Sequence, residues 1–256
     1  MSAPTTRVPG RVPVPGLDMP RPVGAGLTHR GRVRERNEDA ILTDPDGGEL
    51  WAVADGMGGH AAGDVASDMV IDALAGLPDE AAPVAGMIGR LEAANAAIGA
   101  RALAEGRGQM GATVVAAMIR AAVAHLVWAG DSRGYLLRGG HLRLLTRDHT
   151  LVQDLVERGA LGAEEAEHHP ESHVVTRAVG MGAGFAAESL SVPVVPGDRL
   201  LLCSDGLPRC VSEQAIAAIL LGAGSPDDAC RALVAAALEA GAPDNVSVIV
   251  VGIEEG

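Results

Sequence analysis

Six short apolar runs, at residues 50–54, 112–119, 123–129, 133–138, 199–203 and 246–252, constrain any fold this chain can adopt. They are rich in Val, Leu and Ile, and glycines bound them. A run this short and this apolar suits a strand buried on both faces, since it offers no polar side to water. Other stretches carry helical spacing. In DVASDMVIDAL (64–74) the set Ala66, Met69, Val70, Ala73 and Leu74 shares one face. Over 84–104, Val84, Met87, Ile88, Leu91, Ile98 and Ala102 do the same. SPDDACRALVAAALEAG opens with Ser225 as an N-cap and closes at Gly241. LRGGHLRLL predicts a hairpin around Gly139 and Gly140. Strand clusters alternating with helix pairs predict an α+β protein with layers of sheet and helix and antiparallel pairing.

Several of these runs abut aspartates. LWAVAD ends in Asp55, HLVWAGD in Asp131 and RLLLCSD in Asp205, while VSVIVV begins just after Asp244 in PDN. One Asp-Gly after a strand is an ordinary turn, and Asp244-Asn245 after Pro243 reads equally as one. Repetition points further. If the fourth strand runs antiparallel to the other three, all four carboxylates fall on one rim of the sheet. NEDA adds Glu38 and Asp39 ahead of another short apolar run. Carboxylates packed together repel unless cations compensate, and an all-oxygen donor set suits Mg²⁺ or Mn²⁺ rather than zinc. Gly56 and Gly206 follow two of the aspartates and Gly130 precedes a third. This leaves carbonyls accessible and room for a hydrated ion.

Composition removes competing chemistries. All 20 basic residues are arginine, so no P-loop, kinase-strand or Schiff-base lysine exists. A net charge of −13 argues against nucleic acid or an anionic membrane as partner. No apolar stretch reaches the length of a bilayer span, and the N-terminus lacks a signal peptide's apolar core. Cys203, Cys210 and Cys230 form no CxxC pair, and their odd number fits a reducing, cytoplasmic setting. Six prolines and scattered arginines over residues 1–22 predict an extended arm. One globular domain, 23–256, follows.

GRVRERNEDA, ADGMGGHAAG, GATVVAA, GDSRGY, LTRDHTLV, CSDGL and PDNVSVIVV occur in this order and together extend over roughly residues 24–253. They resemble the motifs of the PPM (2C-type) metal-dependent serine/threonine protein phosphatases, in their bacterial form. The resemblance implies a four-layer αββα fold, a central antiparallel β-sandwich flanked by helices on both sides, with a two-metal site at one end. It implies that Asp55 bridges paired Mn²⁺ or Mg²⁺ ions with help from the Gly56 carbonyl. Asp205 and Asp244 would complete one metal's shell, Glu38 would serve the other, and Asp39 would hold metal-bound water. Asp131, with Asp205, matches a third, weaker metal position. Arg34 matches the arginine that grips the substrate phosphate, bidentately as a lysine cannot. A hydroxide bridging the metals would attack phosphorus in line, without a phosphoenzyme.

Other features are read beside these. His60 is a candidate general acid or a cap of its turn, since Met57 stands where many eukaryotic relatives place a histidine. HHPESH (168–173) has an H-x3-H spacing, but Pro170 interrupts any helix that would align His169 with His173, and the segment reads as an exposed loop. Residues 146–180 resemble the family's flap, with LVQDLVERGAL helical and its charged face toward phosphoproteins. Asp148 and His149 read as structural. DGLPRCV departs from the commoner acidic or small residues after Asp-Gly-Leu: Pro208 stiffens the loop and Arg209 adds positive charge near the rim. The implied function is hydrolysis of phosphoserine and phosphothreonine in proteins, by a soluble cytoplasmic monomer opposing a Ser/Thr kinase. The alternatives are a non-catalytic phosphoprotein-binding module and a two-metal hydrolase of small phosphate esters.

Overall fold

The structure, a computed structural model, describes residues 20–43, 49–58, 62–78, 82–106, 108–162, 165–166, 169–182 and 185–256. One five-stranded sheet is built from β1 (Arg21–His29), β6 (Arg133–Arg138), β7 (His141–Leu144), β9 (Arg199–Cys203) and β10 (Val246–Glu254), in the order β1-β10-β9-β6-β7. The other holds β2 (Asp39–Thr43), β3 (Leu50–Gly58), β4 (Met110–Arg120), β5 (Val123–Ala129) and β8 (Glu188–Pro193), in the order β2-β3-β4-β5-β8. Every neighbouring pair is antiparallel. Five helices are present among the described residues: α1 (Gly63–Ala75), α2 (Pro83–Ala104), α3 (Leu151–Glu157), α4 (Glu213–Gly222) and α5 (Pro226–Glu239). None is long and apolar enough to cross a membrane.

The apolar runs have the double-sided burial their composition requires. Along β3, Trp51 and Val53 point between the sheets, while Ala52 and Ala54 point outward. On β10, Ile249 and Val251 enter the inter-sheet core, and Val248 and Val250 face the opposite way. The outer face of the β3 sheet is covered by Val70 and Leu74 of α1 and by Met87, Leu91 and Ile98 of α2. Ile216 and Leu220 of α4, with Leu233 and Ala237 of α5, cover the other sheet. A strand's period of two sends alternate residues into different cores, so both must be apolar. This is the expected αββα arrangement.

Helix starts follow their signals. Ser225 caps α5 by accepting from the Asp228 N–H, and Thr150 caps α3 through the Gln153 N–H. The β6–β7 hairpin turns through Gly139 and Gly140 at φ +55° and +83°, the backbone that a two-residue turn of this hand demands. Three features differ from expectation. β3 runs three residues past Asp55 to Gly58, because Asp55, Gly56 and Met57 still pair with Thr113, Ala112 and Gly111. Asp55 therefore sits within a strand. β1, two of whose residues fall in the expected arm, alternates Val23, Ala25 and Leu27 with glycines instead of with a second apolar set, and β8 and α4 also form without having been predicted. Residues 1–19 lie outside the described part.

Candidate active site

The C-terminal ends of β3, β5 and β9 and the start of β10 converge on a cavity of about 800 Å³. Glu38, Asp55, Asp131, Asp205 and Asp244 all line it, facing Arg34 and Arg209. The four aspartates beside apolar runs are thus brought together from both sheets. Asp39, opposite Asp55 in the β2–β3 register, is buried behind them and does not line the cavity. His60 lies outside the described residues.

Glu38 is fixed by its backbone. Its N–H donates to Asn245 Oδ1 at 2.8 Å, and its carbonyl accepts from the Gly56 N–H at 3.0 Å and Ser67 Oγ at 2.6 Å. Its carboxylate accepts from the Gly63 N–H in the first turn of α1, where unpaired amides favour an anion. Gly56 lines the cavity and has a packing role besides. A Cβ there would stand 2.1 Å from the Gly63 carbonyl oxygen, so it is a close-approach glycine that lets α1 reach Glu38. Gly206 is the same case, with the Asn245 carbonyl oxygen 1.9 Å from where its Cβ would lie. Neighbouring backbone fills the Cβ side of both glycines, so the room for a hydrated ion is the cavity itself, which Gly56 lines.

A one-way chain of hydrogen bonds ends on Asp39. Asn37 Nδ2 donates to Thr28 Oγ1 at 2.7 Å, and Ser247 Oγ donates to Asp39 Oδ2 at 2.6 Å. Because the Ser247 proton is committed to Asp39, Thr28 donates across the 2.7 Å contact between the two hydroxyls. Ser204 Oγ also donates to Asp39 Oδ2, at 2.8 Å, and accepts from the Ser247 N–H. These donors favour the carboxylate. Burial and the neighbouring aspartates outweigh them and push its pKa up to about 7. None of Thr28, Ser204 or Ser247 carries a local signal of this role.

Asp131 is reached from the other side. Thr113 and Ser132 share a buried 2.7 Å hydrogen bond that ties β4 to the loop holding it. Gly130 donates its N–H to His149 Nδ1 at 3.1 Å, so the neutral imidazole carries its proton on Nε2, 3.2 Å from Glu188 Oε1. Arg147 and Arg177 converge on that same Glu188 oxygen at 2.7 and 3.2 Å. Asp148 accepts a forked pair from Arg133. Asp148 and His149 thus act as structural ties. The segment expected to be a flap is bonded to β4 through Ala112 and Val179, and its His173, read only as an exposed loop residue, lines the cavity wall.

At the mouth, Arg34 Nη2 lies 2.9 Å from Asp244 Oδ2. Arg209 Nη2 sits 2.5 Å from Asp205 Oδ2, and its Nη1 is 3.6 Å from that same Asp244 oxygen. CSDGLPR also places Cys203 and Arg209 at the Cys-x5-Arg spacing of a cysteine-nucleophile phosphatase loop. The fold denies Cys203 that chemistry. Its side chain is wholly buried in the outer core beneath α4 and α5, and burial pushes its thiol up to about 12.

The donor chemistry fits divalent cations. All the donors are oxygens, and Asp39 Oδ1 and Asp205 Oδ1 are buried with no hydrogen-bond partner among the described residues. Burial and mutual repulsion raise the carboxyls of Asp55, Asp131 and Asp205 as well as Asp39, as in an acid cluster short of positive charge. No three acids, histidines or thiols among the described residues form a ready-made ligand set. Arg34 and Arg209 hold carboxylate oxygens that cations would take.

The molecule is thus a two-sheet antiparallel sandwich with helices outside and, at one end, an acidic cavity whose oxygen donors suit divalent cations. The protein phosphatase 2C family profile matches residues 25–221, and the chain belongs to that family. The serine/threonine protein phosphatase PstP of Mycobacterium tuberculosis is 43% identical over 236 residues, which is 90% of this chain and 44% of that protein. The chain thus spans less than half the length of that relative. The serine/threonine phosphatase Stp of Listeria welshimeri is 36% identical over 234 residues, 88% of this chain and 93% of that protein. A solved catalytic domain of a serine/threonine protein phosphatase PstP, in complex with two manganese ions, superposes with a TM-score of 0.82. It is 39% identical, covering 91% of this chain and 98% of its own.

Proposed function

We propose that this domain is a divalent-metal-dependent phosphatase that hydrolyses phosphoserine and phosphothreonine in proteins. The observation that carries this reading is one cavity lined by five carboxylates and two arginines, with buried carboxylate oxygens left unpaired. Glu38, Asp55, the Gly56 carbonyl, Asp205 and Asp244 are the residues to hold two ions, Mn²⁺ or Mg²⁺, with Asp131 and Asp205 serving a third and weaker one. Bound there, such ions acidify water and offset the charge of a phosphate ester. Arg34 grips the phosphate once its guanidinium leaves Asp244. Asp39, held at Oδ2 by two hydroxyls, keeps Oδ1 unpaired behind the lining acids, where it would hold metal-bound water. Phosphorylated proteins are its substrates and a Ser/Thr kinase its functional opposite. The reading places it as a cytoplasmic monomer, and its three unpaired cysteines support a reducing compartment.

Hydrolysis of a phosphothreonine peptide with Mn²⁺, with EDTA, and by Asp205→Asn is the test. Turnover is expected with Mn²⁺ and is lost in the other two, with the mutant's circular dichroism unchanged. A folded, Mn²⁺-loaded protein that binds the peptide without cleaving it is a binding module instead. Cleavage of small aryl phosphates alone would make it a small-ester hydrolase.

A further inference from the structure

We propose that Arg209 is a second phosphate-gripping residue that closes with Arg34 on one phosphoryl group of the substrate, an inference that rests on the phosphatase reading. The two guanidinium groups come from elements 175 residues apart in sequence, the loop after β1 and the turn after β9. Both nonetheless reach for a single atom, Asp244 Oδ2, at 2.9 Å from Arg34 and 3.6 Å from Arg209. An oxygen shared by two guanidiniums marks a position suited to an oxyanion, and planar forks hold phosphate as well as carboxylate.

The backbone beneath Arg209 is anchored. The Arg209 N–H donates to the Asp205 carbonyl at 3.1 Å, Val211 N–H donates to the Leu207 carbonyl at 2.9 Å, and the Leu207 and Val211 side chains are buried in the outer core. Pro208 fixes φ just ahead of it. Only the side chain is left to turn, and it is 40% exposed. Its present partners are Asp205 and Asp244, the carboxylates assigned to cations. Oxygens committed to cations no longer neutralise a guanidinium. Arg209 then faces the cavity as a positive charge in need of an anion, beside Arg34 in the same condition.

The experiment uses wild type, Arg209→Gln and Arg209→Lys, each first checked for native near-UV circular dichroism. Inorganic phosphate is titrated calorimetrically into Mn²⁺-saturated protein, Mn²⁺ affinity is measured separately, and kcat and KM are taken for a phosphothreonine peptide. Losing one charge-assisted hydrogen-bonding arm weakens phosphate binding and raises KM by about tenfold or more, with kcat little changed. The lysine variant, which keeps the charge without the fork, falls between the two. Phosphate affinity and KM unmoved in Arg209→Gln, with only Mn²⁺ affinity altered, would overturn the proposal and leave Arg209 a counter-charge for the acids. A wild type that cleaves no phosphopeptide counts against the phosphatase reading instead, and phosphate calorimetry still decides Arg209.

Discussion

Asn245 joins the two halves of the site through one side chain. Its Oδ1 accepts from the Glu38 N–H, and its Nδ2 donates to the carbonyls of Arg30 and Arg36 at 2.9 and 2.8 Å. The loop carrying Arg34 and Glu38 is thereby pinned to the start of β10. In the sequence PDN reads as a turn, since the bonds that distinguish Asn245 run to residues more than 200 positions away. Asn245→Ala leaves three backbone groups unpaired and is expected to cost about 1–3 kcal/mol of stability. It should also lower kcat/KM by loosening Arg34 and Glu38 together. Asn245→Asp should be worse, because a carboxylate would face two carbonyls where an amide donated. Urea titration and phosphopeptide kinetics of both variants check this, and an Asn245→Ala protein with wild-type kinetics would refute it.

Among the elements, the closest interlock between the sheets is glycine against tryptophan. Gly24 of β1 lies under the Trp51 indole of β3, and a Cβ on it would stand 2.3 Å from Trp51 Nε1. β1 therefore carries glycines where an inward-facing strand would ordinarily carry Val or Ile, which is why its sequence hides it. The β4–β5 turn is similarly unreadable. Ala121 and Ala122 take φ +51° and +60° without the glycine or asparagine that signals such a turn. Gly24→Ala overpacks the interlock and is expected to cost about 1–3 kcal/mol, read as a lower urea midpoint at unchanged slope. An unchanged midpoint would show that Trp51 has room to move.

The whole molecule is an acid cluster enclosed by apolar layers, and that sets its response to protons and cations. Asp39 and Asp131 are raised to about 7 and Asp55 well above its usual value, mainly by burial, against 3.8 for an unperturbed aspartate. Folded values above the unfolded one mean that the folded chain binds more protons in between. The stability contributed by Asp39 and Asp131 is complete below about pH 4 and is lost as pH rises through about 7. EDTA-treated protein is therefore expected to melt lower at about pH 8 than at about pH 5.5. Mn²⁺ should raise Tm more at pH 8, where fewer protons compete for the carboxylates. Scanning calorimetry at both pH values, with and without Mn²⁺, checks the sign. An equal gain at both would mean that the ions bind away from these acids.

The sequence by itself determined which runs are buried on both faces, where α1, α2 and α5 lie, and that carboxylates gather where strands meet turns. These properties are local: apolar periodicity records burial, and an aspartate beside a strand end is visible within a few residues. Tertiary structure alone decided which polar side chains serve those carboxylates. Ser247 donates to Asp39 across 208 residues, and Arg209 meets Asp244 on an oxygen already held by Arg34. It also decided that Gly56 is a packing glycine and that Cys203 faces away from the cavity despite its spacing to Arg209. Such pairings depend on two sheets closing face to face, and no short window of residues contains the partner strand.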